Sequence, residues 1–462
     1  MPLSESQAVD QAKTLLDFHR TERDHLDKIR RYWKAKQRLP GIIPHAAPAE
    51  VRAMARIARV PVCDIVVSSL AQSLFVDGFR AEVETAAGPE DRNVGAWRVW
   101  QANRMDRWQS GIHRPAIAYG TAYGLVLPSE GGDAPVMRGQ SPRRLTALYG
   151  EDPDWPVWAL EKTGPDSFKL YDEEAEYFFV YAGNRADPNS RELTFVEARE
   201  HGLEVCPVVR FLDEVDLDAE DEVDEVDEVL SGQVAPLMPL QDQVDLTTFG
   251  LLVAQHYSAF RQRYAIGWIA ESEAQLIKAA ASQLWTFDEN PQDMELGEFE
   301  ETNLKGYIDS REASLRHAAT LSQTPVHELI GELVNLSAEA LAAAEAGRER
   351  KVDERKTGFG ESWEQMFFLA GQLTGEPTPE DAQVVWRDTS ARSFSATVDA
   401  LGKLVQMLNI PPQALWERVP GATQQDIRRW EAMAAAGDSM AWLTDLLERQ
   451  AGSELEPAPQ AV

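Results

Sequence analysis

Hydrophobic positions change their period twice along this chain. In the N-terminal quarter and again after residue 235, apolar residues recur at helical spacing. Between about 119 and 212 they form short runs rich in β-branched and aromatic residues, separated by Gly, Pro and Asp. The pattern predicts an α+β protein, mostly α-helical, with an antiparallel sheet region. N-terminal helices are predicted over residues 5–37, 51–60, 63–75 and 97–120.

The helix predicted after Pro236 is apolar on two opposed sides. At 100° per residue, one side carries Leu240, Val244 and Leu251. The other side carries Leu246, Phe249, Val253, Tyr257 and Phe260. Such a helix must be buried between two neighbours, which could be parts of its own chain or the next subunit of an assembly.

A second long helix, near residues 304–321, has a mixed-charge face. Its apolar stripe contains Leu304, Ile308 and Leu315. Its other face carries Lys305, Asp309, Glu312, Arg316 and Thr320. Lys305–Asp309 and Glu312–Arg316 have the i,i+4 spacing that favours ion pairs on a helix.

A broken helical segment follows and leads into another long helix. Thr324–Pro325 predicts a helix start, and Gly331 interrupts the pattern. The long helix is predicted from about Ala338 to Leu369. Short helices follow from about Ser393, and the tail 451–462 has a composition typical of disorder.

Composition indicates a water-soluble protein with a large apolar core. The chain has 462 residues, and 44% of them are hydrophobic. We find no apolar run long enough to span a membrane and no signal peptide pattern. Cys63 and Cys206 alone fit neither a disulfide framework nor a zinc site. No cofactor is predicted.

Residues 213–229, DEVDLDAEDEVDEVDEV, contain eleven carboxylates in a chain of net charge −31. Asp216, Asp218 and Glu220 begin a calcium-loop spacing, but Asp221 stands where such a loop needs Gly. An acidic, calcium-dependent binding module is therefore one alternative. A solvated linker is the simpler interpretation.

Catalytic motifs are incomplete. His327–Gly331 (HELIG) lacks the second His of a zinc protease, and Gly358–Trp363 (GFGESW) lacks the third Gly of a dinucleotide loop. We therefore predict no enzyme activity. Acidic residues outnumber basic ones, 76 to 45, which argues against a sequence-specific DNA binder but not against a protein that lets DNA slide past.

The order of several segments resembles the portal proteins of tailed phages, especially those of long-tailed actinobacteriophages. The resemblance rests on VVSSLAQSLFVDGFR, AIAYGTAYGLV, VAPLMPLQDQVDLTTFGLLVAQHYSAFRQRYAIGW, LSQTPVHELIGELVNLSAEALAAAEAG, FGESWEQMF and TVDALGKLVQMLNIPPQALWERVPGATQQDIRRW. These segments follow one another in order between residues 66 and 430. The acidic run is a departure, because a shorter loop is expected there.

The resemblance implies a portal fold with wing, stem, clip and crown regions around a channel. The implied regions are a wing over 1–235 with an acidic loop at 213–229, stem helices over 236–264 and 304–321, a clip over 265–303, a tunnel loop over 322–337, a long spine helix and its return to the wing over 338–392, and a crown over 393–450.

The resemblance also implies a function and partners. The ring, usually of twelve copies, would occupy one capsid vertex, nucleate procapsid assembly, and pass double-stranded DNA during packaging and ejection. Expected partners are the terminase large subunit, a head-completion or adaptor protein, and the major capsid and scaffolding proteins. Assembly would take place in the host cytoplasm. Another virion connector protein is the alternative within this class.

The resemblance and the patterns together assign candidate residues. Channel-lining candidates are Lys305, Asp309, Glu312, Arg316, Thr320, Gln323, Thr324, His327 and Asn335. Subunit-packing candidates are Leu246, Phe249, Val253, Tyr257 and Phe260. Clip and motor-docking candidates are Trp268, Trp285 and Phe287.

Overall fold

The structure is a computed structural model of the chain. It describes residues 2–39, 47–80, 82–85, 88–91, 93–129, 131, 134–183, 192–215, 232–258, 263–266, 295–298, 303–331, 338–379, 381–389, 394–419, 421–422 and 425–434. Within these residues the fold is α+β, with helices and antiparallel strands. Two compact units form, and each is built from several separate stretches of chain.

The described residues form α-helices of very different lengths. They are α1 (Glu5–Trp33), α2 (Ala49–Ile57), α3 (Val62–Gln72), α4 (Asn93–Ala102), α5 (Met105–Trp108), α6 (Ser110–Tyr119), α7 (Met238–Ser258), α8 (Lys305–Ser322), α9 (Val326–Ile330), α10 (Ala338–Thr374) and α11 (Phe394–Leu408). Short 3-10 helices cover Ala235–Leu237 and Pro412–Arg418, and residues 425–434 are also helical.

The described strands pair antiparallel wherever their register is defined. They are β1 (Val76–Arg80), β2 (Glu82–Thr85), β3 (Gly88–Asp91), β4 (Thr121–Leu127), β5 (Val136–Gln140), β6 (Leu145–Tyr149), β7 (Pro156–Lys162), β8 (Ser167–Tyr171), β9 (Ala175–Ala182), β10 (Glu192–Glu200), β11 (Val208–Leu212), β12 (Arg263–Ile266), β13 (Glu295–Glu298) and β14 (Gln383–Trp386). The largest sheet has the order β10-β9-β8-β7-β6.

The first unit comprises residues 1–72, 111–124 and 139–358. Its core lies where α1 crosses the five-stranded sheet. The buried side chains of this core include Ala8, Ala12 and Leu15 from the helix and Phe168, Leu170, Tyr177 and Phe179 from the sheet. Alternation along β9 places every second residue against the helix, which is the pattern of an antiparallel sheet covered on one side.

The second unit comprises residues 73–110, 125–138 and 359–462. Aromatic rings dominate its core. Trp100 packs edge-on against Trp363 with ring centroids 4.9 Å apart, and Phe79 stacks on Phe367 at 4.2 Å. Strand β1 pairs with β14, and Arg387 forms an ion pair of 2.7 Å with Asp77 beside that pairing. The sequence segments VDGF and FGESW thus contribute packing contacts to this unit.

Three sequence predictions need correction. Residues 97–120 do not form one helix, because Arg104 adopts a left-handed conformation (φ 55°) that separates α4 from α5. The helix predicted to 264 ends at Ser258, and Tyr264 and Ile266 lie in β12 instead. The sheet region includes β5, β6 and β10, whose short or charged stretches carry little strand pattern.

Candidate functional site

Helices α7 and α8 form an antiparallel pair. The Ser314 hydroxyl lies 3.5 Å from the Gln243 side-chain oxygen, and a Cβ at Gly250 would lie 2.9 Å from the Tyr307 ring. Because the contact moves forward along α7 as it moves backward along α8, the helices run in opposite directions. Gly250 provides the close approach that a larger residue would obstruct.

A two-stranded ribbon stands between the two helices in the sequence. Strand β12 follows α7 and pairs antiparallel with β13, with Arg263 opposite Glu298 and Ile266 opposite Glu295. The chain therefore leaves and returns through neighbouring strands before α8 begins. Trp268, Trp285 and Phe287, the clip and motor-docking candidates, fall between β12 and β13 and lie outside the described residues.

One side of α8 packs inward and the other is charged and exposed. Leu315, Ala318 and Ala319 are buried. Lys305, Asp309, Arg316 and Thr320 are exposed, and Glu312 is half-buried. The predicted division into an apolar and a mixed-charge face is confirmed at Leu315, whereas Ile308, placed on the apolar stripe, is 42% exposed.

Only one of the two predicted i,i+4 pairs on α8 forms. Arg316 donates to Glu312 at 3.3 Å, whereas no ion pair within 4 Å joins Lys305 to Asp309. The acid precedes the base in the first pair and follows it in the second. Acid-before-base is the more favourable order along a helix, and exposed pairs are weak enough for this difference to decide.

The segment after α8 turns sharply at two left-handed residues. Gln323 ends α8 with φ 55°, and Gly331 ends α9 with φ 79°. Gln323 is exposed and His327 is half-buried. Thr324 is only 4% exposed, and its hydroxyl oxygen lies 2.9 Å from that of Ser322. Because its own chain covers it, we withdraw Thr324 as a channel-lining candidate; Asn335 lies outside the described residues.

Three cations on one side of α10 contact the segment that follows α8 and the start of the acidic run. Arg348 forms an ion pair with Glu328 of α9. Lys351 donates to the Ser322 carbonyl oxygen at 3.2 Å, at the end of α8. Arg355, one turn further on, binds carboxylates at the start of the acidic run. Successive turns of α10 thus bind α9, the end of α8 and the start of the acidic run.

We call Asp213, Glu214, Gln233, Lys351 and Arg355 the Arg355 cluster. Arg355 donates to both carboxylate oxygens of Asp213, at 3.1 and 3.4 Å, and also pairs with Glu214. Gln233 donates to Asp213 at 2.5 Å and accepts from Lys351. Burial raises the pKa of Asp213, and the two hydrogen bonds from the permanently charged Arg355 guanidinium oppose this rise.

The start of the acidic run and the segment that follows the run are therefore anchored at one place. The Asp213 amide donates to the Gly120 carbonyl at 2.9 Å, and the Gln233 amide donates to that of Ile117 at 2.8 Å. The expectation of a solvated linker fails at Asp213, which is buried, because Arg355 compensates its charge. Sequence reasoning missed this cluster, since Arg355 lies 142 positions from Asp213. Asp216, Asp218 and Glu220 lie outside the described residues.

A second buried carboxylate fixes the start of α7. Asp245 accepts from the Val60 amide at 2.9 Å, from Gln37 at 2.6 Å and from Gln241 at 2.8 Å; we call these four residues the Asp245 network. Burial raises the pKa of Asp245 to about 6. The QDQVD stretch of the sequence thus attaches α7 to the N-terminal helices.

One side of α7 is only partly covered within the chain. Val244 and Leu251 are buried, whereas Leu246, Phe249 and Val253 are half-buried. At 100° per residue, these three lie between the side that contacts α8 and the side that contains Asp245. The side chain of Tyr257 and the whole of Phe260 lie outside the description. The helix itself and the burial of one apolar side are confirmed, and a second neighbour for Leu246, Phe249 and Val253 stays a prediction.

The described part of the chain contains no group of three or more His, Cys, Asp or Glu side chains arranged to hold a metal ion. Within the same residues, none of the helices combines the length and hydropathy needed to cross a membrane. The contacts of the described residues are packing contacts and ion pairs, together with exposed charged side chains.

The sequence identifies the class of protein to which this fold belongs. Residues 12–439 match the family described as "Phage portal protein, SPP1 Gp6-like". The chain therefore belongs to this family of phage portal proteins. The family is structural and not catalytic.

Relatives in other phages carry the same description. The portal protein of Mycobacterium phage D29 is 25% identical over 433 residues, covering 88% of this chain and 84% of that protein. The portal protein of Mycobacterium phage L5 is 25% identical over 395 residues, covering 81% and 77%. The resemblance to portal proteins of actinobacteriophages is thus confirmed.

Among solved structures, the chain is similar to one from the virion of a native gene transfer agent particle. That match has 12% identity and a TM-score of 0.45, and covers 86% of this chain and 99% of that chain. A chain from the neck of the native particle, computed with C12 symmetry, has 12% identity and a TM-score of 0.41, with coverage of 81% and 92%.

Proposed function

We propose that copies of this portal protein close into a ring, usually of twelve, at one capsid vertex, and that double-stranded DNA passes through its channel during packaging and ejection. The partly covered apolar side of α7 supports this proposal. Leu246, Phe249 and Val253 are only half-buried within one chain, and the next copy of the chain supplies a second neighbour that covers them.

The regions of the ring follow the order of elements. Helices α7 and α8 form the stem, and residues 265–303 form the clip beyond β12. The kinked segment 322–337 forms the tunnel loop, and α10 forms the spine. Residues 1–235 form the wing and 393–450 the crown. The ring nucleates procapsid assembly with scaffolding and major capsid proteins, and docks the terminase large subunit and a head-completion protein.

The exposed face of α8 suits a channel wall. Lys305, Asp309, Glu312 and Arg316 bring two positive and two negative charges to one helical face. A wall of mixed sign attracts and repels a polyanion in alternation over distances near the screening length of about 8–10 Å. DNA passing along this face is therefore not held tightly. Thr320, Gln323 and His327 continue the wall into the kinked segment.

Mass photometry of the purified chain tests the ring. The expected particle lies near twelve times 51.5 kDa. Phe249→Asp should shift it to smaller species, because a charge would enter the apolar contact. Val196→Asp is the matched control, since Val196 is an apolar residue 56% exposed on β10 and should not affect assembly. A wild-type chain that stays monomeric with its capsid and scaffolding partners present would contradict the ring.

DNA packaging tests the channel wall. Glu312→Lys converts the face to three positive charges and one negative charge, so DNA should be held and packaging should slow or stall. Asp24→Lys makes the same charge change at an exposed position of α1 and serves as the control. Packaging at the wild-type rate in rings of Glu312→Lys would show that α8 does not line the channel.

A further inference from the structure

Positive charge is concentrated in one short part of this acidic chain. Residues 28–59 contain nine of the 45 Lys and Arg residues but only one of the 76 carboxylates, Glu50. This stretch carries a net charge of +8 (nine minus one), while the whole chain carries −31. The remaining residues therefore carry −39, so the stretch is an island of opposite sign.

The structure brings these cations together on the outside of one region. The carboxylate of Asp245 accepts from both Gln37, after the end of α1, and the Val60 amide, after the end of α2. The basic ends of both helices therefore converge. We define the basic surface as the exposed side chains Lys28, Arg31, Lys36, Arg38, Arg52 and Arg56.

The charges of the basic surface are not neutralised locally. Among the residues that the structure describes, none of its six members has a carboxylate within 4 Å. Lys34, which lies among them in the sequence, does have one, since it pairs with Asp64 at 2.9 Å. Within the part of the chain that the structure describes, these six cations are therefore available to an acidic surface of another molecule.

Helix α2, which carries Arg52 and Arg56 of the basic surface, packs along α7. Glu50, in the first turn of α2, is 3.8 Å from His256 near the end of α7, and Val60 after α2 contacts Asp245 near its start. Helix α2 thus runs along α7 in the opposite direction. Ile57 of α2 is 70% exposed and adds an apolar side chain to the surface of this helix.

We propose that the basic surface is the electrostatic half of the subunit interface and receives an acidic surface of the next copy of this chain. This inference rests on the ring proposed above. An apolar centre with a charged margin is the usual anatomy of a protein interface. Copies with a net charge of −31 repel each other, and the six exposed cations of the basic surface direct one particular face toward its neighbour.

Charge complementarity favours a second copy over DNA as the partner. Residues outside 28–59 carry −39, so the neighbouring chain presents excess acid. Helix α2 also carries the exposed apolar side chain of Ile57, and an apolar group has no counterpart on a phosphate backbone. Binding of DNA at this surface is the competing outcome that the experiment must separate.

The test uses the full chain with Arg52→Glu and Arg56→Glu together. Both positions are exposed on α2, and Glu is a good helix former, so the fold should be retained. The control carries Lys13→Glu and Arg114→Glu, which make the same charge change at exposed positions outside the basic surface. Circular dichroism and thermal melting check the fold of both variants.

Mass photometry across a protein dilution series gives the concentration at which half of the chains are in rings. For Arg52→Glu/Arg56→Glu this concentration should rise at least about tenfold at low salt, and the difference should shrink at high salt. The control should match wild type. Rings of the variant that form as readily as wild type overturn this inference and leave the ring standing.

Two further outcomes are decisive. If the variant assembles normally but loses affinity for a labelled DNA duplex, measured by fluorescence anisotropy, the surface binds nucleic acid and the inference is overturned. If wild type forms no ring under any condition tested, the proposed function fails and this inference fails with it. A loss of rings that salt does not modulate also contradicts an electrostatic role.

Discussion

Asp213 and Asp245 are two buried carboxylates that the same unit of the protein stabilises in different ways. Asp213 receives a guanidinium, Arg355, at two distances near 3 Å. Asp245 receives only neutral N–H donors, from Val60, Gln37 and Gln241. Both join segments distant in the sequence. The difference is that the first site depends on a compensating charge, whereas the second depends on hydrogen bonds and is sensitive to pH.

The positions of the two sites explain why they differ. The Arg355 cluster anchors an insertion that carries eleven carboxylates, so a cation is needed where that run enters the protein. The Asp245 network joins helices within the body of the unit, where backbone and side-chain amides are available. A buried charge is tolerated in both cases because its hydrogen-bonding capacity is met.

Removing the cation should have the largest effect. Arg355→Met leaves Asp213 buried without compensation, and we expect the free energy of unfolding to fall by about 3–5 kcal/mol, measured by urea denaturation. Arg355→Met combined with Asp213→Asn removes both charges and should recover more than half of the loss. A single variant within about 1 kcal/mol of wild type would show that the pair is not needed for stability.

Asp245→Asn should cost less, about 1–3 kcal/mol, because it removes hydrogen bonds but leaves no uncompensated charge. The folded pKa of Asp245, about 6, exceeds that of an unfolded Asp, about 3.9. The folded state therefore binds more protons between these values, and stability falls as the pH rises from 4 to 6. The variant lacks this contribution, so its deficit should shrink over that range. A deficit independent of pH would contradict the raised pKa.

Glu22 is a half-buried carboxylate that can be compared with Asp245, but among the described residues it is not part of a hydrogen-bond network. Burial raises the pKa of Glu22 to about 7, and Thr146 donates a hydrogen bond to it at 3.2 Å. Stability should therefore fall as the pH rises from about 4.5 to 7. Glu22→Gln keeps an acceptor for Thr146 and should be more stable than wild type at pH 8, by about 1 kcal/mol given the partial exposure. Thermal melting at pH 5 and pH 8 checks the sign.

The smallest effect is expected for Glu214, an exposed partner of Arg355. Glu214 has a side chain 58% exposed, whereas that of Asp213 is fully buried. Glu214→Gln should change the free energy of unfolding by less than about 1 kcal/mol, because water compensates an exposed pair. Urea denaturation beside Asp213→Gln provides the matched comparison. Equal losses for the two changes would remove the distinction between the buried and exposed members.

Several features were determined by the sequence alone. The change from helical to strand periodicity predicted an α+β fold, and the apolar positions of residues 238–258 predicted a helix there. The order of motifs predicted the family, and residues 12–439 match it. Such features are readable because periodicity and motif order are properties of neighbouring positions.

Other features were decided only by the tertiary structure. The sequence shows Asp213 as one of eleven acids, but the fold buries it beside Arg355, 142 positions away. Likewise, Gln37 and Val60 meet only because Asp245 of α7 lies between them. Contacts between residues far apart in the chain leave no local pattern. Their stability comes from desolvation and hydrogen-bond geometry that exist only once the segments are packed together.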